Sequence, residues 1–351
     1  MANFLLIIDG SSLLSTQYYG NMPPAIRFES DEAKREKLYS QLLHTSTGKY
    51  TNGVLGFFRS LFNILREQKP SHVVIAWDLG RDTFRREISE DYKGTRKETP
   101  HPLKEQFATC QELCEKMGFV QLMDHKYEAD DFCGSVARKF ENMIQVRILT
   151  KDKDYFQLIT KQTHIWLLMS SKDKVNELFD KYEMDRNVYN FPDKVFRINR
   201  SILKSEYGYY PETAVTVKAI AGDASDNIKG VPGIGEDVAI KLANEYKTID
   251  ALYAAIEGLD KKQEKELKEY WKTIGISRSP LNALLKEDDN NLVGKKAAKQ
   301  SELLGTIKTD VDLDEYFFFG ITLDQLEVTV DSQVAKAALE EYEIKTVNTT
   351  Y

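Results

Sequence analysis

"FLLIIDGSS" (residues 4–12) decides how this chain is built. Five apolar residues run without alternation into Asp9, Gly10 and two serines. A half-exposed strand would alternate apolar and polar positions. An unbroken run of this length suits a strand covered on both faces, as in a parallel sheet. Three more short apolar runs read the same way: "VVIAW" (73–77), "VRIL" (146–149), interrupted by Arg147, and "IWLL" (165–168). Segments with helical period lie between them, at 53–68, 103–117 and 128–143. Strands alternating with helices predict an α/β fold with a parallel sheet.

The residues just past the strands carry the chemistry. "FLLII" leads into Asp9, "VVIAW" into Asp78, and "VRILT" into Lys151, Asp152, Lys153 and Asp154. In open α/β sheets the ligand site lies at the carboxyl ends of the strands. Three strands should therefore deliver acids to one edge. "KYEADDF" (126–132) adds Glu128, Asp130 and Asp131 at the start of a helix, where free N–H groups and the helix dipole favour negative charge. Glu128 and Asp131 are spaced to share a helix face. Two like charges about 6 Å apart repel by roughly 2–3 kcal/mol at an effective dielectric near 20. Such a cluster is either a solvated face or the seat of a doubly positive ion.

Beyond about residue 200 the chain reads as helices, at 211–221, 235–246, 248–256, 260–273 and 295–304. Between the first two lies "GDASDNIKGVPGIGEDVAIKLA" (222–243). It supplies Asp223 and Asp226, again three apart, and then a Gly- and Pro-rich turn with donors free at the following helix start. The acids at these junctions number nine, with no His or Cys among them. That donor set suits hard cations such as Mg²⁺ or Mn²⁺, which take oxygen ligands and serve phosphoryl chemistry.

The net charge of −7, from 48 basic and 55 acidic residues, argues against a general polyanion binder unless the acids are gathered on metal. Basic character is local. In "TFRREISEDYKGTRKETPHPLK" (83–104), Lys93 and Arg96 would share one side of a helix, and Tyr92 is adjacent. Two cations for phosphate and an aromatic for a base suit single-strand nucleic acid. Interleaved Glu87, Glu90, Asp91 and Glu98 equally suit a solvated helix. Residues 21–52 and 170–205 read as insertions or mobile loops. Cys110, Cys114 and Cys133 form neither a disulfide framework nor a zinc set, and read as thiols in a reducing compartment. With five apolar residues before Asp9, the N-terminus reads as neither signal core nor membrane span, and a cytoplasmic protein is expected.

In family order, the motifs "IIDGSS" (7–12), "WD" (77–78), "FRREISEDYKGTR" (84–96), "EADD" (128–131), "TKDKDYFQL" (150–158), "GDASDNIKGVPGIGEDVA" (222–239) and "LLGTIKTDVDLD" (303–314) span nearly the whole chain. They resemble the 5′ nuclease domain of bacterial DNA polymerase I and the wider flap endonuclease family, here without a polymerase domain following. The resemblance implies a PIN-like α/β nuclease core over 1–205 with a helical arch at about 80–105. It also implies a helix–turn–helix duplex-binding subdomain over 206–320, with 321–351 packing on the core. By resemblance, Asp9, Asp78, Glu128, Asp130, Asp131, Asp152, Asp154, Asp223 and Asp226 match the acids that hold two Mg²⁺ or Mn²⁺ ions. Lys93, Arg96 and Asp130 take catalytic roles. Tyr92, Lys93, Arg96, Gly230, Val231, Gly233 and Gly235 contact DNA, and the 230–235 turn binds K⁺. The implied substrate is DNA with a 5′ flap or a 5′ end on duplex, cut by a monomer in replication and repair.

Three departures stand out. The family's Arg shortly after "DGSS" is absent, with Thr16 near its place. Lys151 stands where Gly is common. Segments 21–47 and 170–205 are longer than in the polymerase domain. Two other readings compete: a junction-binding relative without catalysis, and a PIN-type ribonuclease. The intact acid set opposes the first, and the "GVPGIG" hairpin opposes the second.

Overall fold

Strand β1 (Phe4–Asp9) lies at the centre of a six-stranded sheet, with every residue buried. The computed structural model describes residues 3–186, 188, 191–317 and 320–351. The other strands are β2 (His72–Asp78), β3 (Val120–Asp124), β4 (Gln145–Thr150), β5 (Thr163–Leu168) and β6 (Val195–Ile198). Their order is β3-β2-β1-β4-β5-β6, with the first five parallel and β6 antiparallel to β5. β1 shows why its run is continuous. Leu5 and Ile7 enter the core shared with helix Ala129–Phe140, while Phe4, Leu6 and Ile8 enter the core under helices Gly10–Gly20, Asn52–Gln68 and His101–Lys116.

β3 and β6 have no counterpart among the apolar runs of the sequence. Both are edge strands, and neither carries a long apolar stretch. "VQLMD" buries one residue fully, and "VFRI" buries three of its four residues but is short and carries an Arg, as "VRIL" of β4 also does. The region 21–52 is not a bare loop. It holds helices Pro24–Arg27 and Glu32–Lys37 and a bridge between His44 and Tyr50, pinned by buried Met22, Ile26 and Leu42. Much of 170–205 is also structured, as helix Lys172–Lys181, β6 and the start of helix Arg200–Tyr207. Residues 187, 189 and 190 of that segment lie outside the described residues.

The helical part comprises Ala214–Ala221, Glu236–Tyr246, Ile249–Ile256, Lys261–Thr273, Leu281–Leu284 and Gly294–Gly305. Helix Gly294–Gly305 packs on Ala214–Ala221 and on the short helix Phe84–Ile88. One apolar cluster runs from the sheet through Tyr155 and Phe156 into Leu242, Leu252 and Trp271. The last segment returns to the sheet side: Val328 N–H donates to Ser71 O (3.0 Å), and helix Ser332–Glu340 packs on His101–Lys116. No helix among the described residues is long and apolar enough to cross a membrane.

Candidate active site

Parallel pairing brings the strand ends to one edge. Asp9 sits across from Ala76 on β2, and its neighbour Ile8 sits across from Leu149 on β4. Asp9 caps helix Gly10–Gly20 by accepting from Ser12 N (2.9 Å) and also accepts from Thr150 Oγ1 (2.9 Å). Asp78 accepts from Ala129 N (2.9 Å), which ties β2 to the acid-bearing helix. Ser11 and Ser12 hydroxyls accept from the N–H groups of Asp78 and Lys151, both at 2.9 Å. "DGSS" is thus a clip that holds three strand ends together.

These residues line a cleft of about 730 Å³. Seven of the nine acids expected from sequence open onto it: Asp9, Asp78, Glu128, Asp130, Asp152, Asp154 and Asp223. Asp226 is buried behind them, yet its carboxylate joins those of Asp154 and Asp223 in a group whose oxygens lie within 4.8 Å of one another. Asp223 and Asp226 meet through a turn closed by an Asp223–Ile228 bridge, not through a helix face.

Asp131 departs from the expected ligand role. It is fully buried, and its two oxygens take both arms of Arg85, at 2.8 Å each. It also accepts from Glu128 N (3.1 Å) and Lys308 N (2.8 Å). Glu128 and Asp131 form a capping box on helix Ala129–Phe140. The i,i+3 spacing thus marks a structural lock, and Asp131 has no oxygen aimed into the cleft.

The arch also departs from expectation. Only Phe84–Ile88 is helical before His101–Lys116, and Lys93 sits in a turn at φ +54°. Mixed charge, Gly94 and Pro100 leave no apolar stripe to hold a helix there. Lys93 and Arg96 still reach the cleft. Lys93 Nζ binds Glu128 Oε2 (2.7 Å), and Arg96 pairs with Asp226. Tyr92 is 2% exposed, so it offers no stacking face. Its hydroxyl donates to Glu128 Oε2 (3.2 Å).

In the glycine turn, Gly230 and Val231 face inward. Gly230 N–H donates to Ser301 Oγ (3.0 Å), and Val231 N–H to Ile220 O (2.8 Å). A Cβ on Gly230 would lie 2.3 Å from Gly222 N, which explains the glycine without DNA. Gly233 and Gly235 are exposed, and Gly235 caps helix Glu236–Tyr246, whose first N–H groups have no earlier turn to donate into.

Two cations in the site were not singled out from sequence. Arg85 is fully buried beneath the acids, and Lys218 lies among Asp154, Asp223 and Asp226. Lys218 left a faint signal, as the one charge in "AVTVKAIA". Arg85 left none, because its partners lie 46 and about 220 positions away.

Electrostatics divide the acids. Burial, reinforced by Asp78, pushes Asp9 up to about 7; burial with Asp152 pushes Asp154 up to about 6. Burial also holds Asp130 well above the carboxylate range. Burial opposes the charge on Glu128, but Lys93 and Arg85 outweigh it and keep the group low. Asp223 falls to about 2, because Lys218 and Ser225 outweigh burial. The donor set fits a hard divalent ion. The acids lining the cleft offer only oxygens, and one of these, Asp130 Oδ1, is buried without a hydrogen-bond partner.

These shifts make stability depend on pH. Asp9 and Asp154 have folded pKa values above the unfolded one, so their stabilising contribution is complete below about pH 4 and is lost as pH rises through about 6 to 7. In EDTA, the melting temperature should fall from about pH 5 to about pH 8. Mn²⁺ should reverse that fall, because metal pairs with the ionised form. Glu128 and Asp223 act in the opposite sense, and only at more acidic pH. Melting curves at both pH values test this; a flat trend in EDTA rules it out.

Both halves of the chain resemble known proteins. Residues 4–188 match the 5′-3′ exonuclease N-terminal resolvase-like domain, and residues 209–292 match the 5′-3′ exonuclease C-terminal SAM fold. A 5′-3′ exonuclease of Halalkalibacterium halodurans is 38% identical over 264 residues, 74% of this chain and 76% of that protein. DNA polymerase I of Bacillus caldotenax is 31% identical over 303 residues, 86% of this chain but 30% of the polymerase. In fold, the chain resembles a bacteriophage T5 flap endonuclease solved as a pseudo-enzyme–product complex with DNA and metal ions. The TM-score is 0.54 at 16% identity, covering 97% of this chain and 100% of that one. Fold, cleft and sequence likeness together define a nuclease. The chain belongs to the 5′-3′ exonuclease family.

Proposed function

We propose that the protein hydrolyses phosphodiester bonds in DNA that carries a 5′ flap or a 5′ end on duplex, leaving a 5′-phosphate and a 3′-hydroxyl. The observation that carries this is the convergence of seven carboxylates on one cleft with Lys93 and Arg96 at its wall. Two divalent ions, Mg²⁺ or Mn²⁺, held by acids of this cleft and the Asp154–Asp223–Asp226 group, would supply Lewis acidity and a bound water of lowered pKa. The chain's own residues do the rest. Asp9 and Asp78 are held rigid by the serine clip and by Ala129 N–H, so the site is preorganised. Lys93 and Arg96 pair with Glu128 and Asp226, and an entering phosphate can take the same two cations. Gly233, Gly235 and the start of helix Glu236–Tyr246 suit the duplex backbone, and the turn's carbonyls suit K⁺. The T5 relative's complex with DNA and metal ions supports the substrate class. Buried, unpaired Cys110, Cys114 and Cys133 support a reducing, cytoplasmic setting. A monomer acting in primer removal and repair fits this chemistry. We place the domain division near residue 205, with 321–351 returning to the core.

The test is a flap duplex labelled at both ends of the flap strand, incubated in Mg²⁺ and in EDTA, beside a matched RNA flap. Metal-dependent cuts near the junction support the reading. Tight binding without cuts in Mg²⁺ or Mn²⁺ identifies a junction binder, and preference for the RNA flap identifies a ribonuclease. Lys93→Ala should keep duplex binding and lower turnover by about 10²–10³-fold, the scale of losing one electrostatic stabiliser. Unchanged turnover removes Lys93 from the mechanism.

A further inference from the structure

Lys218 rises from helix Ala214–Ala221 into the middle of the Asp154–Asp223–Asp226 group. Its ammonium pairs with Asp154, lies 2.9 Å from Asp223 Oδ2 and 3.8 Å from Asp226 Oδ2, and its side chain is 11% exposed. The three carboxylates are close enough to bind one small cation, and a side-chain cation is already there. The lysine stem is guided by Gly305, where an added Cβ would lie 3.1 Å from Lys218 Cδ. Beside the group is a second cleft of about 420 Å³, lined by Lys218 itself, with Glu236 on its wall.

We propose that Lys218 is a built-in competitor for the divalent ion at this group. Without metal, its ammonium offsets part of the charge of the three acids, with Arg96 pairing Asp226 from the other side, and holds their geometry. When a divalent ion enters, the ammonium withdraws into the adjoining cleft toward Glu236. This inference rests on the metal-nuclease reading. It adds that the second metal position binds weakly by design, because each ion must displace an internal cation. Two neighbouring positive charges repel strongly at low effective dielectric, so removing the lysine charge should tighten the site by about tenfold or more.

The experiment is Mn²⁺ binding to the full chain by calorimetry and by EPR of free Mn²⁺. Wild type is compared with Lys218→Met and Lys218→Arg. The proposal expects Lys218→Met to bind its weaker Mn²⁺ at least about tenfold more tightly than wild type. It also expects that variant to melt earlier in EDTA and to recover with Mn²⁺. Lys218→Arg, which keeps the charge, should stay near wild type in affinity. Equal or weaker Mn²⁺ binding by Lys218→Met overturns the competitor role. Absence of Mn²⁺ binding by wild type and variants alike overturns the metal reading, and this inference with it. Should Lys218→Met fail to fold without metal, wild type with isotope-labelled lysine side chains still decides. The Lys218 ammonium resonance, assigned with Lys218→Arg, must shift on Zn²⁺ addition, and an unmoved resonance overturns the proposal.

Discussion

Asp130→Asn is expected to abolish most metal-dependent cleavage while raising the melting temperature of the metal-free protein. Asp130 lines the cleft, and its Oδ1 is buried without a hydrogen-bond partner. Arg85 Nη1, 3.8 Å away, is beyond hydrogen-bonding reach. Burial is the largest influence on this carboxyl and pushes its pKa well up, outweighing the opposing charge of Arg85; neighbouring Asp131 and Glu128 add to the rise. A group whose folded pKa exceeds its unfolded one gives its full stability contribution only at acid pH, and loses it as pH rises through the folded value. Near neutral pH, a buried, poorly solvated carboxylate is therefore a burden on the metal-free fold, and an amide of the same shape relieves it. In the proposed metal site the same oxygen would donate to a divalent ion, and its loss would remove several kcal/mol of transition-state stabilisation, about 10³-fold in rate. Initial rates on a 5′-flap duplex in Mg²⁺ and melting curves in EDTA measure both halves. A variant that cleaves normally is incompatible with Asp130 as a ligand. One that melts earlier than wild type assigns the carboxylate a structural role instead.

That opposition between stability and function explains which parts of this protein can be read from sequence. The central strands can, because burial on both faces forces short runs with few or no polar residues, and the helical run "ALYAAI" (251–256) is set apart by its place in the helical half of the chain. The acids at their ends can, because parallel pairing must carry Asp9, Asp78 and Asp152 to one edge. β3 escapes because its edge position leaves it half-exposed with no such run, and β6, although three of its four residues are buried, is too short to stand out. Residue spacing is a weaker guide. The i,i+3 pair Glu128 and Asp131 is a capping box, and the pair Lys93 and Arg96 is not on a helix at all. Tyr92, Gly230 and Val231 carry motif identity but point inward. Motif position places a residue near the site. Whether it faces substrate or core depends on contacts between distant parts of the chain.

Arg85→Met should cost the folded state about 3–5 kcal/mol, the usual penalty for removing one partner of a buried ion pair. That is a large part of the roughly 5–15 kcal/mol that holds a domain together. The guanidinium is 1% exposed and uses both arms on Asp131, at 2.8 Å each. Its Nη1 also lies 3.4 Å from Glu128 Oε2. The remaining N–H groups donate to Leu304 O (3.1 Å) and Thr306 O (3.0 Å), at the end of helix Gly294–Gly305. Arg85 therefore bolts the acid-bearing helix to the helical part of the chain. Methionine fills similar volume but strands two buried carboxylates and two carbonyls. Arg85→Lys should rescue little, since one ammonium cannot match a planar fork on four acceptors. Arg85→Met combined with Asp131→Leu should recover part of the loss, because an apolar pair avoids the unpaired charge. Recovery stays partial, since Asp131 also accepts from Glu128 N and Lys308 N. Guanidinium unfolding midpoints for the three variants give the comparison. If Arg85→Met unfolds within about 1 kcal/mol of wild type, the range of an exposed pair, the bolt is not what holds the acids in place.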